Sequence, residues 1–304
     1  MENAVKLTGV TKTFSNQVAV DSLDLSVPTG SIYGFIGPNG SGKTTTLRMI
    51  LRIFQPDTGT VEVLGRETGK TADDRLGYLP EERGLYKRMK VGALLKYYAK
   101  LKGFYNCKSH IDEWLEYLDA STWVNKRIDT LSKGMAQKVQ FVAAVAAKPS
   151  LVILDEPFSG LDPINMESLR DAVLLLRERG TTVIFSTHDM DMAEKLCDTI
   201  FMIFKGKKVL DGTIDSIQAQ FPANRLRVRF GDGRSELPTM PEVTETIVQG
   251  RDHLLTMSDV NDSGKVMKRL AAAGDLHHFE VVKPSLHDIF IQIAKPDPVE
   301  MANS

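Results

Sequence analysis

Over roughly the first 215 residues, short apolar runs alternate with longer stretches of helical period, the texture of an α/β domain. AVKLTGVTKTF (residues 4–14) and VDSLDLSVPTG (20–30) read as strands, with Pro28 and Gly30 marking a turn. SIYGFIG (31–37) reads as a buried strand that runs into a glycine-rich turn, and TTLRMILRIF (45–54) as the helix that follows, closed by Pro56 and Gly59. The segment from about Val91 to Thr122 carries apolar residues at helical spacing, as in LLKYYAKL and IDEWLEYL, which predicts a helical insertion. In TLSKGMAQKVQ (130–140), Ser132 has the chemistry of a helix N-cap, and Met135, Val139, Val142 and Ala146 predict a buried helix face behind it.

LVILDEP (151–157) and TTVIFSTH (181–188) are short runs rich in β-branched residues, as expected of parallel strands buried on both faces. Between them NMESLRDAVLLLRERG forms an amphipathic helical pattern ended by Gly180, and TIFMIFKGKKVLDGT (199–213) reads as a closing hairpin. After about Ala219 the texture changes. NRLRVRF, TETIVQG, HLLTMS and HHFEVVKP predict strands, while SGKVMKRLAAAG and SLHDIFIQIA predict helices, a mixture that suggests a small α+β domain. The domain expectation is therefore 1–217 for an α/β domain with a helical subdomain over about 85–150, then 218–304 for the α+β part with a frayed end.

Composition narrows the function classes. Hydrophobic residues at 42% and charged residues at 25% suit a globular chain of 304 residues with a substantial core. A formal net charge of -1, from 38 basic and 39 acidic residues, lacks the basic excess of a nucleic-acid binder. Cys107 and Cys197 are too few for a disulfide framework and stand at no metal-ligand spacing, so a reducing compartment is expected. The first residues lack the basic-then-apolar order of a secretory signal, and no window approaches the ~20 apolar residues that cross a bilayer. Any membrane passage would have to come from another chain.

GPNGSGKTT, Gly37 to Thr45, fits the phosphate-loop pattern G-x-x-x-x-G-K-[ST] and stands between an expected strand and an expected helix, the context in which the pattern carries weight. Glycines let successive backbone N–H groups turn inward around phosphate oxygens, and the helix N-terminus adds its positive end. In such a loop Lys43 reaches the β- and γ-phosphates and Thr44 turns its hydroxyl to Mg²⁺. Asp155 and Glu156 emerge at the carboxyl end of the LVIL strand. Alone they would be a solvated turn; beside a phosphate loop Asp155 suits Mg²⁺ through water and Glu156 the polarisation of an attacking water. His188 ends the next parallel strand at the same sheet edge, where a neutral imidazole can donate or accept at the γ-phosphate.

A phosphate loop is common to many NTPases. Together with LSKGMAQ, SGLDP and STHD in that order, it makes residues 4 to about 217 resemble the nucleotide-binding subunit of an ATP-binding cassette (ABC) transporter. The resemblance implies two such subunits stacked head to tail, as a homodimer or heterodimer, each closing the start of its LSKG helix over ATP held by the other. It implies MgATP hydrolysis that drives a separate membrane permease, with the ATPase peripheral on the cytoplasmic face of the cell membrane and no nucleic-acid partner. Carried over by position, Phe14 stacks on adenine, and Gly37, Asn39, Gly40, Ser41, Gly42, Lys43, Thr44 and Thr45 make the phosphate loop. Asp155, Thr44 and Glu81 attend Mg²⁺, Glu156 is the general base and His188 the switch histidine. Ser132 and Gly134 touch the partner's γ-phosphate, and Asp162 belongs to the loop that contacts the opposite site.

Three positions in two motifs depart from the family pattern. Lys133 replaces the first glycine and Met135 the glutamine of LSGGQ, and Glu81 in GYLPEERGLY stands where glutamine is usual. GYLPEERGLY, LSKG and PSLHDIFIQ look most like bacterial exporters of the sodium- or drug-efflux type, whose ATPases often carry an extra C-terminal domain. A rival class is a soluble ABC-type switch acting on nucleic acid or the ribosome. Such proteins usually fuse two cassettes, whereas this chain has one phosphate loop and no basic segment. A regulatory protein that hydrolyses nothing is disfavoured by the presence of Glu156 and His188.

Overall fold

The computed structural model describes residues 2–67, 73–82, 84–221, 224–232 and 237–294, so the expected frayed end lies outside the described residues. The chain separates into two units, Met1–Ile214 and Asp215–Ser304.

The first unit contains two sheets. One is antiparallel, in the order β2 (Gln17–Pro28), β1 (Asn3–Phe14), β4 (Thr58–Val63) and β5 (Arg66–Glu67). The other has β10 (Lys207–Gly212), β9 (Thr199–Phe204), β3 (Ile32–Ile36), β8 (Thr182–Thr187), β7 (Leu151–Asp155) and β6 (Leu76–Leu79) in that order. It is parallel from β9 to β6, and β10 turns back antiparallel as the closing hairpin predicted.

The period of two along a strand explains why β3, β7 and β8 are buried throughout. Leu151, Ile153 and Ile184 face a core shared with Leu7, Leu25 and Val61 of the antiparallel sheet. Val152, Leu154, Val183 and Phe185 face a second core with Leu169 and Val173 of helix α5 (Pro163–Glu178) and with the helical insertion. One sheet therefore separates two cores, and its strand ends meet at a single edge.

Strand β4 was not among the expected elements; Gly59, read as a terminator, lies within it. Helix α1 (Lys43–Ile50) is shorter than predicted. Arg52 takes φ +61, its N–H bonds the Met49 carbonyl, and the Ile53 N–H reaches back to the Arg48 carbonyl at 2.8 Å. That pair of bonds is the Schellman closure, which stops the helix although Leu51, Ile53 and Phe54 continue the apolar pattern.

The insertion contains α2 (Val91–Leu101) and α3 (Lys108–Tyr117), broken at Gly103 with φ +73, and leads into α4 (Lys133–Val145). Helix α4 is more enclosed than its predicted apolar stripe. Val139 and Val142 are buried as expected, but so are Gln137, Lys138 and Gln140, and Met135 is only half-buried. The polar three are stabilised by hydrogen bonds, Gln137 to the Pro157 carbonyl (2.9 Å), Gln140 to that of Pro80 (2.9 Å) and Lys138 to that of Leu118 (3.2 Å). The short helix α6 (Met190–Leu196) follows β8.

After α7 (Ile214–Gln218), the second unit is a four-stranded antiparallel sheet covered by a helix. Its order is β12 (Val243–Gln249), β13 (Asp252–Met257), β11 (Arg225–Phe230) and β14 (Leu276–Val282). Leu226, Val228, Phe230, Leu255 and Met257 pack on Val266 and Leu270 of α8 (Ser263–Ala273). Helix α9 (Leu286–Ala294) buries Leu286 and Ile289 and is tied to β11 by the Arg225–Asp288 ion pair at 2.7 Å.

Candidate active site

At the carboxyl edge of the parallel sheet, β3 passes into the Gly37–Thr45 loop and then α1. Gly37, at φ +153, packs against the Ile203 carbonyl, and a Cβ on Gly42 would lie 2.6 Å from the Ala19 carbonyl. Only glycine fits these two positions, so the loop is held tight on β2 and β9. The turn between β9 and β10 locks it from outside: the Gly206 N–H bonds the Ser41 carbonyl, and the Gly206 carbonyl accepts from the Asp21 N–H, both at 2.9 Å.

Lys43 lies inside this loop, only 6% exposed, with its ammonium donating to the Gly37 and Pro38 carbonyls at 2.6 and 3.2 Å. Burial lowers its pKa, and Glu156, Asp155 and Glu81 oppose that shift in decreasing order. The loop thus contains a cation already desolvated, with nearby carboxylates favouring its charged form. The Ser41 hydroxyl is buried without a hydrogen-bond partner among the described residues. An orphaned hydroxyl beside an enclosed cation fits a loop built around phosphate oxygens.

A cleft of about 460 Å³ opens over the loop, lined by Phe14, Asn39 to Thr45, Glu81, Asp155 and Glu156. These are residues the sequence singled out, from four separate segments. Phe14 is 41% exposed and stands edge-on to Phe54, with ring centroids 5.3 Å apart. Asp155 is 1% exposed and accepts a short hydrogen bond from the Ser186 hydroxyl. Glu156 occupies φ +49, a left-handed conformation that costs energy in a non-glycine residue, and its N–H is held by the Ser186 carbonyl and hydroxyl at 3.2 Å. Its carboxylate meets His188 Nδ1 at 3.0 Å.

Among the described residues, no group of three or more His, Cys, Asp or Glu side chains could cage a metal ion. The oxygen donors Thr44, Asp155 and Glu81 on one cleft nevertheless suit Mg²⁺, which takes one or two carboxylates and completes its shell with phosphate and water.

Ser132, Gly134 and Asp162 lie off the cleft and form a group of their own. Ser132 caps α4 by accepting from the Met135 N–H at 3.3 Å, as its sequence position predicts. Asp162 caps α5 by accepting from the Asn165 N–H at 3.0 Å, and that bond lowers its pKa. Asn165 packs so closely on Gly134 that a Cβ there would come within 2.7 Å of its amide nitrogen. The Lys133 ammonium lies back against Gly160 of the SGLDP turn. The starts of α4 and α5 thus interlock away from the phosphate loop of their own chain.

Lys205 and Gln17 were missed by sequence reasoning, yet both line the cleft. Lys205 sits at φ +49 in the β9–β10 turn. No motif marks it; only the KGKK hairpin in the sequence hints at a basic turn.

Comparison with known proteins agrees with this geometry. The ABC transporter family profile matches residues 20–159, and a second profile, the C-terminal domain of DrrA1-3-like ATP-binding proteins, matches residues 212–294. An uncharacterized ABC transporter ATP-binding protein of Bacillus subtilis, YhaQ, is 40% identical over 285 residues, covering 93% of this chain and 96% of the relative. The bacitracin transport ATP-binding protein BcrA of Bacillus licheniformis is 31% identical over 303 residues, covering 96% and 98%. A solved ATP-binding subunit of an ABC transporter superposes with TM-score 0.67 at 27% identity, covering 72% of this chain and 93% of that one. The fold and site define a P-loop ATPase. More particularly, the chain belongs to the ABC transporter ATP-binding proteins, with a DrrA-like C-terminal domain. Among the described residues, no helix is long and apolar enough to cross a membrane.

Proposed function

We propose that this chain is the MgATP-hydrolysing engine of an exporter whose passage is made by a separate membrane permease, and that it works as a head-to-tail dimer on the inner face of the cell membrane. The observation that carries this reading is the match of both units, cassette and C-terminal domain, to transport relatives along nearly their whole length. BcrA is named for bacitracin transport, which favours a drug-like or antibiotic cargo over a nucleic-acid role.

In the reaction, the loop N–H groups and Lys43 bind the β- and γ-phosphates, and Phe14 takes the adenine ring. Thr44, Asp155 and Glu81 would hold Mg²⁺, which when bound supplies positive charge beside the phosphates being cleaved. Glu156 orients the attacking water and accepts its proton, positioned by its backbone bonds to Ser186 and by His188. Positioning and charge stabilisation carry such a transfer. Ser132, which is exposed and lies off the chain's own cleft, would complete the partner's site together with the adjoining helix start at Gly134, and Asp162 would line the contact.

Purification from membranes tests the assignment. A hydrophobic permease that co-purifies and stimulates ATP turnover supports it; RNA or ribosomes in its place would refute it.

A further inference from the structure

Helix α4 carries two glutamines three residues apart on one face, and both side chains reach the carboxyl edge of the parallel sheet. Gln137 donates to the Pro157 carbonyl and Gln140 to the Pro80 carbonyl, each at 2.9 Å. Pro80 follows β6 and Pro157 follows β7, two adjacent strands. Each proline adjoins an acidic residue of the nucleotide cleft: Pro80 precedes Glu81, and Pro157 follows Glu156.

These contacts bear on the geometry of the carboxylates. A peptide unit is planar, so holding the Pro80 carbonyl also holds the plane that carries the Glu81 N–H. The Pro157 ring locks φ, which leaves one soft torsion between the carbonyl that Gln137 holds and the plane joining Pro157 to Glu156. Glu156 needs such restraint: at φ +49 it keeps a conformation that persists only where its surroundings fix it. On its amino side, Ser186 holds the N–H. On its carboxyl side, the Ser159 N–H bonds the Glu156 carbonyl at 3.2 Å from within the same turn, and Gln137 is a tether from outside it. The amide donor, more than the bulk of the side chain, is what these positions use. Gln140 Oε1 is buried with no hydrogen-bond partner among the described residues, a cost that a methionine of similar shape would avoid.

We propose that Gln137 and Gln140 are positioning residues for the ATPase reaction: acting through the proline carbonyls, Gln137 sets Glu156 and Gln140 sets Glu81. Neither glutamine lines the nucleotide cleft. The helix that begins at Ser132, off that cleft, thereby reaches two carboxylates of its own chain. The inference rests on the reading of Glu156 as the base and of Glu81 as part of the nucleotide site.

The test uses the full chain with Gln137→Met and Gln140→Met, which keep the length of the side chain and remove the donor. ATP turnover at saturating MgATP and ADP affinity are measured for each, the second also reporting that the phosphate loop is folded. Turnover should fall about tenfold in Gln137→Met and by a smaller factor in Gln140→Met, with the ADP Kd within about twofold of the parent. Each effect should vanish once its carboxylate is gone. Gln137→Met should lower the residual turnover of Glu156→Gln no further, and Gln140→Met should do the same with Glu81→Ala. Full turnover in either single variant, losses that add in the double variants, or ADP affinity lost in step with turnover would overturn the proposal. Full turnover in Glu156→Gln would instead remove the base assignment, and the role of Gln137 with it.

Discussion

His188 Nδ1 meets Glu156 Oε1 at 3.0 Å, joining the ends of two adjacent parallel strands across the edge of the sheet. An ionised carboxylate can only accept, so this contact puts the proton on Nδ1 and turns Nε2 away from Glu156. The strained backbone of Glu156 and the 59% exposure of the His188 side chain make an arrangement in which one partner is fixed and the other can move. Replacing Glu156 with Gln keeps the shape and removes the proton acceptor. ATP turnover should fall by at least ~100-fold while ATP binding persists. His188→Ala should also slow turnover, with the nucleotide Kd little changed. Steady-state turnover and fluorescent-nucleotide titration measure the two separately, and full activity in Glu156→Gln would remove it as the base.

Phe14 offers its ring at the mouth of the cleft, seated on Phe54. Phe14→Ala should weaken ADP binding by about tenfold, the scale of a lost aromatic contact. Because Phe14 is partly exposed, unfolding by urea should hardly change. Unaltered ADP affinity would place the base elsewhere in the cleft.

The close approach of Asn165 to Gly134 predicts a packing interaction that a methyl group disrupts. Gly134→Ala should destabilise the chain by about 1–3 kcal/mol in urea unfolding. Removing the obstructing amide in the double variant Gly134→Ala with Asn165→Ala should recover part of that loss. Additive losses would show that the two helix starts are not interlocked.

Asp73 accepts both a side-chain and a backbone hydrogen bond from Arg75, which lower its pKa from an ordinary 3.8 to about 2. A carboxylate with a depressed folded-state value stabilises the fold above its unfolded pKa and loses that contribution as pH falls through the folded one. Asp73→Asn should therefore cost about 2 kcal/mol at neutral pH, with the difference from the parent shrinking between pH 3.8 and about 2. A pH-independent difference would assign the effect to packing instead.

Most of the cleft's polar lining was legible in the sequence because it lies in contiguous motifs. The spacing from Gly37 to Thr45 requires a glycine-lined turn into a helix whatever surrounds it, and the structure forms that turn. Asp155 and Glu156 follow a run of apolar residues that can only be a buried strand, so their place at its end followed as well. Ser132 is a cap in the structure for the same local reason that it was expected to be one.

Longer-range relations were not legible. Lys205 and Gln17 enter the cleft because a hairpin turn and a strand end pack on the phosphate loop, and hydrophobic period carries no information about which turn meets which. Helix α1 stops at Ile50 through left-handed closure at Arg52, although its apolar pattern runs on. Gln137, Lys138 and Gln140 look like a solvated helix face, yet they are buried because backbone carbonyls of distant loops accept their hydrogen bonds. Local sequence determined the motifs, the caps and the buried parallel strands, though not β4, since these depend on neighbours within a few residues. Tertiary structure alone decided which motifs share a cleft. It brought Glu81, Glu156 and Phe14 to the phosphate loop, and left Ser132, Gly134 and Asp162 together off that cleft, because sheet order and helix packing are set by the burial of whole faces.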